Sequence, residues 1–95
     1  PGIGFGKTLD HNLTLLAHLD RICALGFPVL LGASRKRFIA AVHPGAEAPA
    51  ARAPGSIAAA LAGAEAGVAA VRVHDVAETA QALDVWSAIK AARRP

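Results

Sequence analysis

The sequence predicts an α/β chain in which strands and helices alternate and the strands run parallel. Phe27 to Ala33 is a continuous rather than alternating apolar run, and Val68 to His74 starts as one before Arg72 and His74 emerge. Strands read this way when both of their faces are covered by helices. Each run ends in polar or basic residues and is followed by a segment of helical character. The order is therefore loop, helix, strand, helix, loop, helix, strand, helix, with one more strand expected just before Pro1.

Pro1 to Lys7 is a glycine-rich loop. Gly2, Gly4 and Gly6 remove Cβ atoms at alternate positions, which lets a ligand approach the backbone. Gly6-Lys7-Thr8 invites a nucleotide P-loop reading. That motif requires glycine five positions before Gly6, where Pro1 stands. From Thr8 or Asp10 to about Leu25 one helix is expected, with Leu9, Leu13, Leu16, Leu19 and Cys23 as its apolar stripe and Gly26 as its stop. His11 and His18 lie on this helix without the partner pattern of a metal site and read as surface or boundary residues.

The strand Phe27 to Ala33 runs into Ser34-Arg35-Lys36-Arg37, and Phe38 to Val42 reads as a short helix. Lys36 thus lies where a strand ends and a helix begins. A lysine there can donate to ligand carbonyls and ring nitrogens; the plainer reading is a solvated basic turn. His43 to Pro54 is a proline- and alanine-rich loop, with His43 facing solvent. Its length suggests a functional connection. Ser56 is expected to cap a helix from Ile57 to about Ala66, closed by Gly67. That helix is nearly all small or apolar, as if buried against a strand or a partner subunit.

In the second strand, Arg72 and His74 are two residues apart and share one face. They form either an anion clamp or a structural pair, with Arg72 on a carboxylate and His74 capping a loop. Asp75 and Glu78 have the spacing of a capping box, so Asp75 is either a helix cap or a ligand. The last helix is expected from Val76 to Ala92, with Val76, Leu83, Trp86 and Ile89 on a broad apolar side.

Composition narrows the function. Hydrophobic residues make up 54% of the 95 residues and the net charge is only +3, so a disordered or strongly polyionic chain is excluded. One Trp, three Phe and no Tyr leave no aromatic-and-basic surface for nucleic acid. No apolar run approaches the roughly 20 residues of a membrane span. The single Cys23 excludes an intramolecular disulfide and fits a reducing compartment. The opening residues read as the loop after an absent strand, so the chain is expected to be a C-terminal piece of a longer protein.

The glycine loop, Ser34 to Lys36, and Arg72 to His74 all fall at C-terminal ends of successive strands. That is the active face of a βα barrel, and a Rossmann-type sheet also places sites there. No Gly-x-Gly-x-x-Gly opens a helix with an acidic residue about 20 positions on.

Taken together, the motifs Pro-Gly-Ile-Gly-Phe-Gly-Lys at 1–7 with His11-Asn12, Gly-Ala-Ser-Arg-Lys at 32–36, Gly55-Ser56, and Arg-Val-His-Asp-Val at 72–76 resemble the dihydropteroate synthase family in order and spacing. The resemblance runs the whole chain. It implies a (β/α)8 TIM barrel, of which residues 1–95 form the loop after strand six through helix eight, a pterin-binding domain incomplete at its N-terminus. It implies a cytoplasmic, homodimeric transferase of folate synthesis and a sulfonamide target. Such an enzyme joins dihydropterin-methyl diphosphate to 4-aminobenzoate with Mg2+ and releases diphosphate.

By position, the resemblance makes Lys36, Arg72 and His74 the catalytic set. Lys36 contacts the pterin, while Arg72 and His74 hold the pterin substrate and its diphosphate. Phe5 packs near the aminobenzoate ring, with Ser34 and Arg35 nearby. The residue after the lysine is often Ser in the family; Arg37 stands there, so only its backbone N–H carries over. The Mg2+-binding Asn of strand one, the other pterin contacts and an Asp before Pro1 are expected outside this chain. The chain alone is therefore expected to be inactive and, with open strand edges, sticky. Rival readings are a non-catalytic pterin- or phosphate-binding relative, a P-loop-like nucleotide binder and a phosphate-binding barrel enzyme of another pathway.

Overall fold

The computed structural model describes Ile3 and residues 8–93. In order they form helices α1 (Leu9–Ala17) and α2 (Leu19–Cys23), strand β1 (Leu30–Leu31), helix α3 (Arg37–Val42), a 3-10 turn (Pro49–Arg52), helix α4 (Ala53–Ala66), strand β2 (Ala70–Val71) and helix α5 (Val76–Ala92). The two strands pair in parallel, Leu30 opposite Ala70 and Leu31 opposite Val71. The crossover between them carries α3, the turn and α4. The α/β class and the parallel pairing agree with expectation. The glycine loop apart from Ile3, and with it Phe5, lies outside the described residues.

Thr8 caps α1 by accepting the His11 N–H on its hydroxyl at 3.2 Å. The expected single helix to Leu25 is instead broken at His18, whose φ of −117° and ψ of 24° leave the helical region. Leu19, just past the break, is fully buried, whereas Leu13 stays 39% exposed. The leucine stripe is therefore not one continuous buried face.

The paired segments are shorter than the apolar runs, because each strand has a single partner among the described residues and bonding fades at both ends. The Ala69 N–H donates to Val29 O and the Arg72 N–H to Leu31 O, both at 2.9 Å. Burial corrects the expectation that both faces are covered. Leu31 and Ala33 are buried, but Leu30 is half exposed. The helices of this chain cover one face only.

α4 lies close on that covered face. A Cβ on Gly63 would come within 2.7 Å of Leu31 Cδ2 and 3.3 Å of Val68 Cγ2. Gly55 packs on the Ile39 side chain with equally little room. Small residues at Gly55, Ala59 and Gly63 thus let the helix approach, and Ile3, Leu19, Leu31, Phe38, Ile39 and Ala59 form the core. α4 begins at Ala53, with Pro54 in its first turn, where the missing N–H costs nothing. Ser56 is therefore inside the helix rather than its cap. Gly67 closes the helix with φ +99°, a conformation that favours glycine.

α5 has the expected bounds. Its apolar residues Val76, Val85 and Ile89 are exposed, and Thr79 is its one buried residue. Lys90 Nζ sits 4.9 Å above the Trp86 ring. No helix among the described residues is long and apolar enough to cross a membrane.

Candidate anion and pterin site

Because β1 and β2 are adjacent and parallel, the segments after them, Ser34–Lys36 and Arg72–Asp75, emerge side by side. A pocket of about 140 Å³ opens there, lined by Gly32, Ser34, Lys36, Arg72, Val73 and His74. Residues singled out from two separate motifs thus share one pocket.

Arg72 is exposed and stands over Gly32, where a Cβ would lie 3.2 Å from its Nη2. Glycine at 32 lets the guanidinium lie close to the strand backbone. Arg72 forms no ion pair with a described carboxylate, and the carboxylate three positions on, Asp75, is taken by Arg35. Arg35 Nε donates to Asp75 Oδ2 at 3.0 Å and Arg35 Nη2 to Asp75 Oδ1 at 2.6 Å. Among the described residues this is the one ion pair between side chains. The structural reading of Arg72 thereby loses its partner. The Asp75 side chain does not cap α5; both of its carboxylate oxygens are engaged by Arg35.

The Arg35 bond, aided by attraction to Arg35 and His74, holds the Asp75 carboxyl below the usual carboxylate range, although burial opposes the shift. The same bond holds the Arg35 guanidinium above its ordinary value.

Arg35 adopts φ +55°, a left-handed conformation that costs a non-glycine residue on the order of 1 kcal/mol. Three elements hold it there. Its N–H donates to Ser56 Oγ at 2.7 Å, its side chain grips Asp75, and its carbonyl accepts from Arg52 Nη1 at 3.0 Å. Arg52 also donates to the carbonyls of Ala46 at 2.7 Å and Glu47 at 2.6 Å. This fixes the chain direction just before Lys36, whose Nζ donates to the Ile3 carbonyl of the glycine loop. Lys36 therefore ties Ile3 to the pocket.

Ser34 sits against His74. Its Oγ accepts the His74 backbone N–H at 3.1 Å and lies 2.9 Å from His74 Nδ1. Arg35 faces Asp75 rather than the pocket. Arg52 lies outside every motif read in the sequence, whereas Gly32 opens the Gly-Ala-Ser-Arg-Lys run at 32–36. A lone arginine in an Ala- and Pro-rich loop was the available signal for Arg52, because such a loop has carbonyls needing donors. Among the described residues no group of three His, Cys, Asp or Glu could hold a metal ion.

The arrangement can therefore bind an anion on Arg72 and His74 beside a lysine donor. A family model described as pterin binding enzyme matches residues 1–74. The chain belongs to the pterin binding enzyme family. Within that family it is 51% identical over 90 residues to the dihydropteroate synthase of Neisseria meningitidis serogroup C, covering 94% of this chain and 31% of that protein.

Solved structures agree with this pterin binding enzyme assignment. The Xanthomonas albilineans dihydropteroate synthase with 4-aminobenzoic acid superposes with a TM-score of 0.91 at 52% identity, over 100% of this chain and 34% of that one. The Thermus thermophilus dihydropteroate synthase in complex with 6HMPPP gives 0.89 at 54% identity, over 95% and 36%. The chain spans about a third of the length of these relatives.

Proposed function

We propose that this chain is part of a dihydropteroate synthase. In this reading it forms the loop after strand six through helix eight of a (β/α)8 barrel, within a cytoplasmic homodimer. The observation that carries the proposal is the meeting of Lys36, Arg72 and His74 around one pocket, with Asp75 occupied by Arg35. The relatives solved with 4-aminobenzoic acid and with 6HMPPP support the choice of substrates.

The reaction is a displacement at the pterin methylene. The C–O bond to diphosphate breaks, the aromatic amine of 4-aminobenzoate forms the new C–N bond, and that amine loses a proton. Charge grows on the departing diphosphate. Arg72 can hold two of its oxygens at once and His74 can donate to a third. Lys36 donates to the pterin ring. The amine is already nucleophilic, so no strong base is required. The described residues do not fit Mg2+: they hold no carboxylate cluster, and Asp75 is committed to Arg35. We place any magnesium ligand outside them and draw no step through the metal.

The test is product formation. The full-length protein, given dihydropterin-methyl diphosphate and 4-aminobenzoate, should yield dihydropteroate and diphosphate, and a sulfonamide should compete with the aminobenzoate. The chain alone should be inactive. Binding of the pterin diphosphate without turnover by the full-length protein would favour a non-catalytic relative.

A further inference from the structure

Ser34 is buried, and its hydroxyl has a single residue as partner among those described: His74. A serine hydroxyl carries one proton and two lone pairs. One lone pair accepts the His74 backbone N–H at 3.1 Å. The remaining contact, 2.9 Å to Nδ1, can be made in two ways by a neutral imidazole. If Nδ1 is bare, the Ser34 proton goes to it and both partners are satisfied. If Nδ1 carries the proton, Ser34 accepts twice and its own O–H has no acceptor among the described residues. A buried donor without a partner costs more than a made hydrogen bond returns. The first arrangement is preferred, and the hydrogen bond at one ring nitrogen decides the proton at the other.

We propose that Ser34 is a positioning residue that keeps the neutral His74 ring in the tautomer with its proton on Nε2. His74 then offers a fixed N–H donor to an anion whether or not the ring is charged, since the imidazolium also carries a proton on Nε2. The charged groups around the ring are Arg72 and Lys36, which line the same pocket, and the Arg35–Asp75 pair beside it. A ring with a bare Nε2 would turn a lone pair towards the anion and repel it. This role is specific to Ser34, because Arg35 is directed at Asp75 and Lys36 at Ile3.

The inference rests on the reading of the pocket as a diphosphate site, and two measurements separate them. Histidine-selective 15N NMR of the full-length protein, well above the ordinary imidazole pKa of about 6.5, reports which His74 nitrogen is protonated. Calorimetry with inorganic diphosphate reports the site. Wild type should show a protonated Nε2 and a bare Nδ1. In Ser34→Ala the two tautomers should mix and diphosphate affinity should fall roughly tenfold, the scale of one lost hydrogen bond. Ser34→Thr, which keeps the hydroxyl, should restore both.

A protonated Nδ1 with a bare Nε2 in wild type overturns the inference, even if no variant folds. So does a Ser34→Ala protein whose tautomer is unchanged, since lost affinity alone would then mean only a looser strand end. Absence of diphosphate binding by wild type would instead overturn the reading of the pocket, leaving the spectrum to decide the role of Ser34.

Discussion

Asp75 follows the pocket-lining Arg72 and His74 at the second strand end, yet its carboxylate grips Arg35, forty positions earlier, with both oxygens. The pair bolts the two strand ends together. With Asp75 engaged by Arg35, the Arg72 guanidinium lines the pocket without an ion-pair partner among the described residues.

Asp75→Asn should therefore loosen the rim. The Asp75 carboxyl is lowered first by the hydrogen bond from Arg35. Its stabilising contribution is complete above the unfolded carboxylate value of about 3.9. It is lost as pH falls through the lowered folded value. Thermal melts of the full-length protein from neutral pH into acid should show a steeper loss of stability in wild type than in Asp75→Asn. Parallel curves would contradict the account.

Arg52→Ala should disturb the same rim from the other side. It strips a donor from the carbonyls of Arg35, Ala46 and Glu47. A cost of about 2 kcal/mol in stability is expected for hydrogen bonds from a charged group. Because Arg35 is left-handed and precedes Lys36, kcat/KM should also fall. Arg52→Lys should not rescue, since an ammonium lacks the planar fork that reaches several acceptors. Urea unfolding and steady-state kinetics check the two effects.

Gly63→Ala separates stability from function. The added methyl meets Leu31 Cδ2 and Val68 Cγ2 in the core. Overpacking costs about 1–3 kcal/mol, against roughly 0.5–1 kcal/mol gained from alanine in a helix. A net loss of about 1 kcal/mol is expected in urea unfolding, with kcat/KM unchanged where the protein is folded.

Gly32→Ala is the complementary case. Its methyl would meet the movable end of Arg72 at 3.2 Å, so the melting temperature should hold. Diphosphate affinity should fall roughly tenfold, as expected when a binding group is displaced. Calorimetry measures it.

What the sequence revealed follows from the range of each interaction. The bounds of α5 were legible because local signals mark them. That Arg72, His74 and Lys36 would meet around one pocket was legible because two positions on a strand share a face and Lys36 follows a neighbouring strand end. The break at His18 was not, since the leucine spacing is compatible with one helix and tertiary burial of Leu19 accompanies the break. The left-handed Arg35 was hidden as well, because arginine is not a residue that announces such a conformation. The Arg35–Asp75 and Ser34–His74 pairs each span forty positions, and no local pattern encodes them. From its neighbours alone Asp75 therefore reads as either a helix cap or a ligand. The exposure of Leu30 was missed because a continuous apolar run implies two covered faces, and the helices of this chain cover one.

In the proposed reaction Arg72 meets the diphosphate as it departs. The most direct test is kcat/KM for dihydropterin-methyl diphosphate in the full-length protein with Arg72→Ala, at saturating 4-aminobenzoate. A fall of about 100-fold or more is expected, the scale of removing one charge-stabilising donor, with the melting temperature retained. A folded Arg72→Ala protein with wild-type kcat/KM would contradict it.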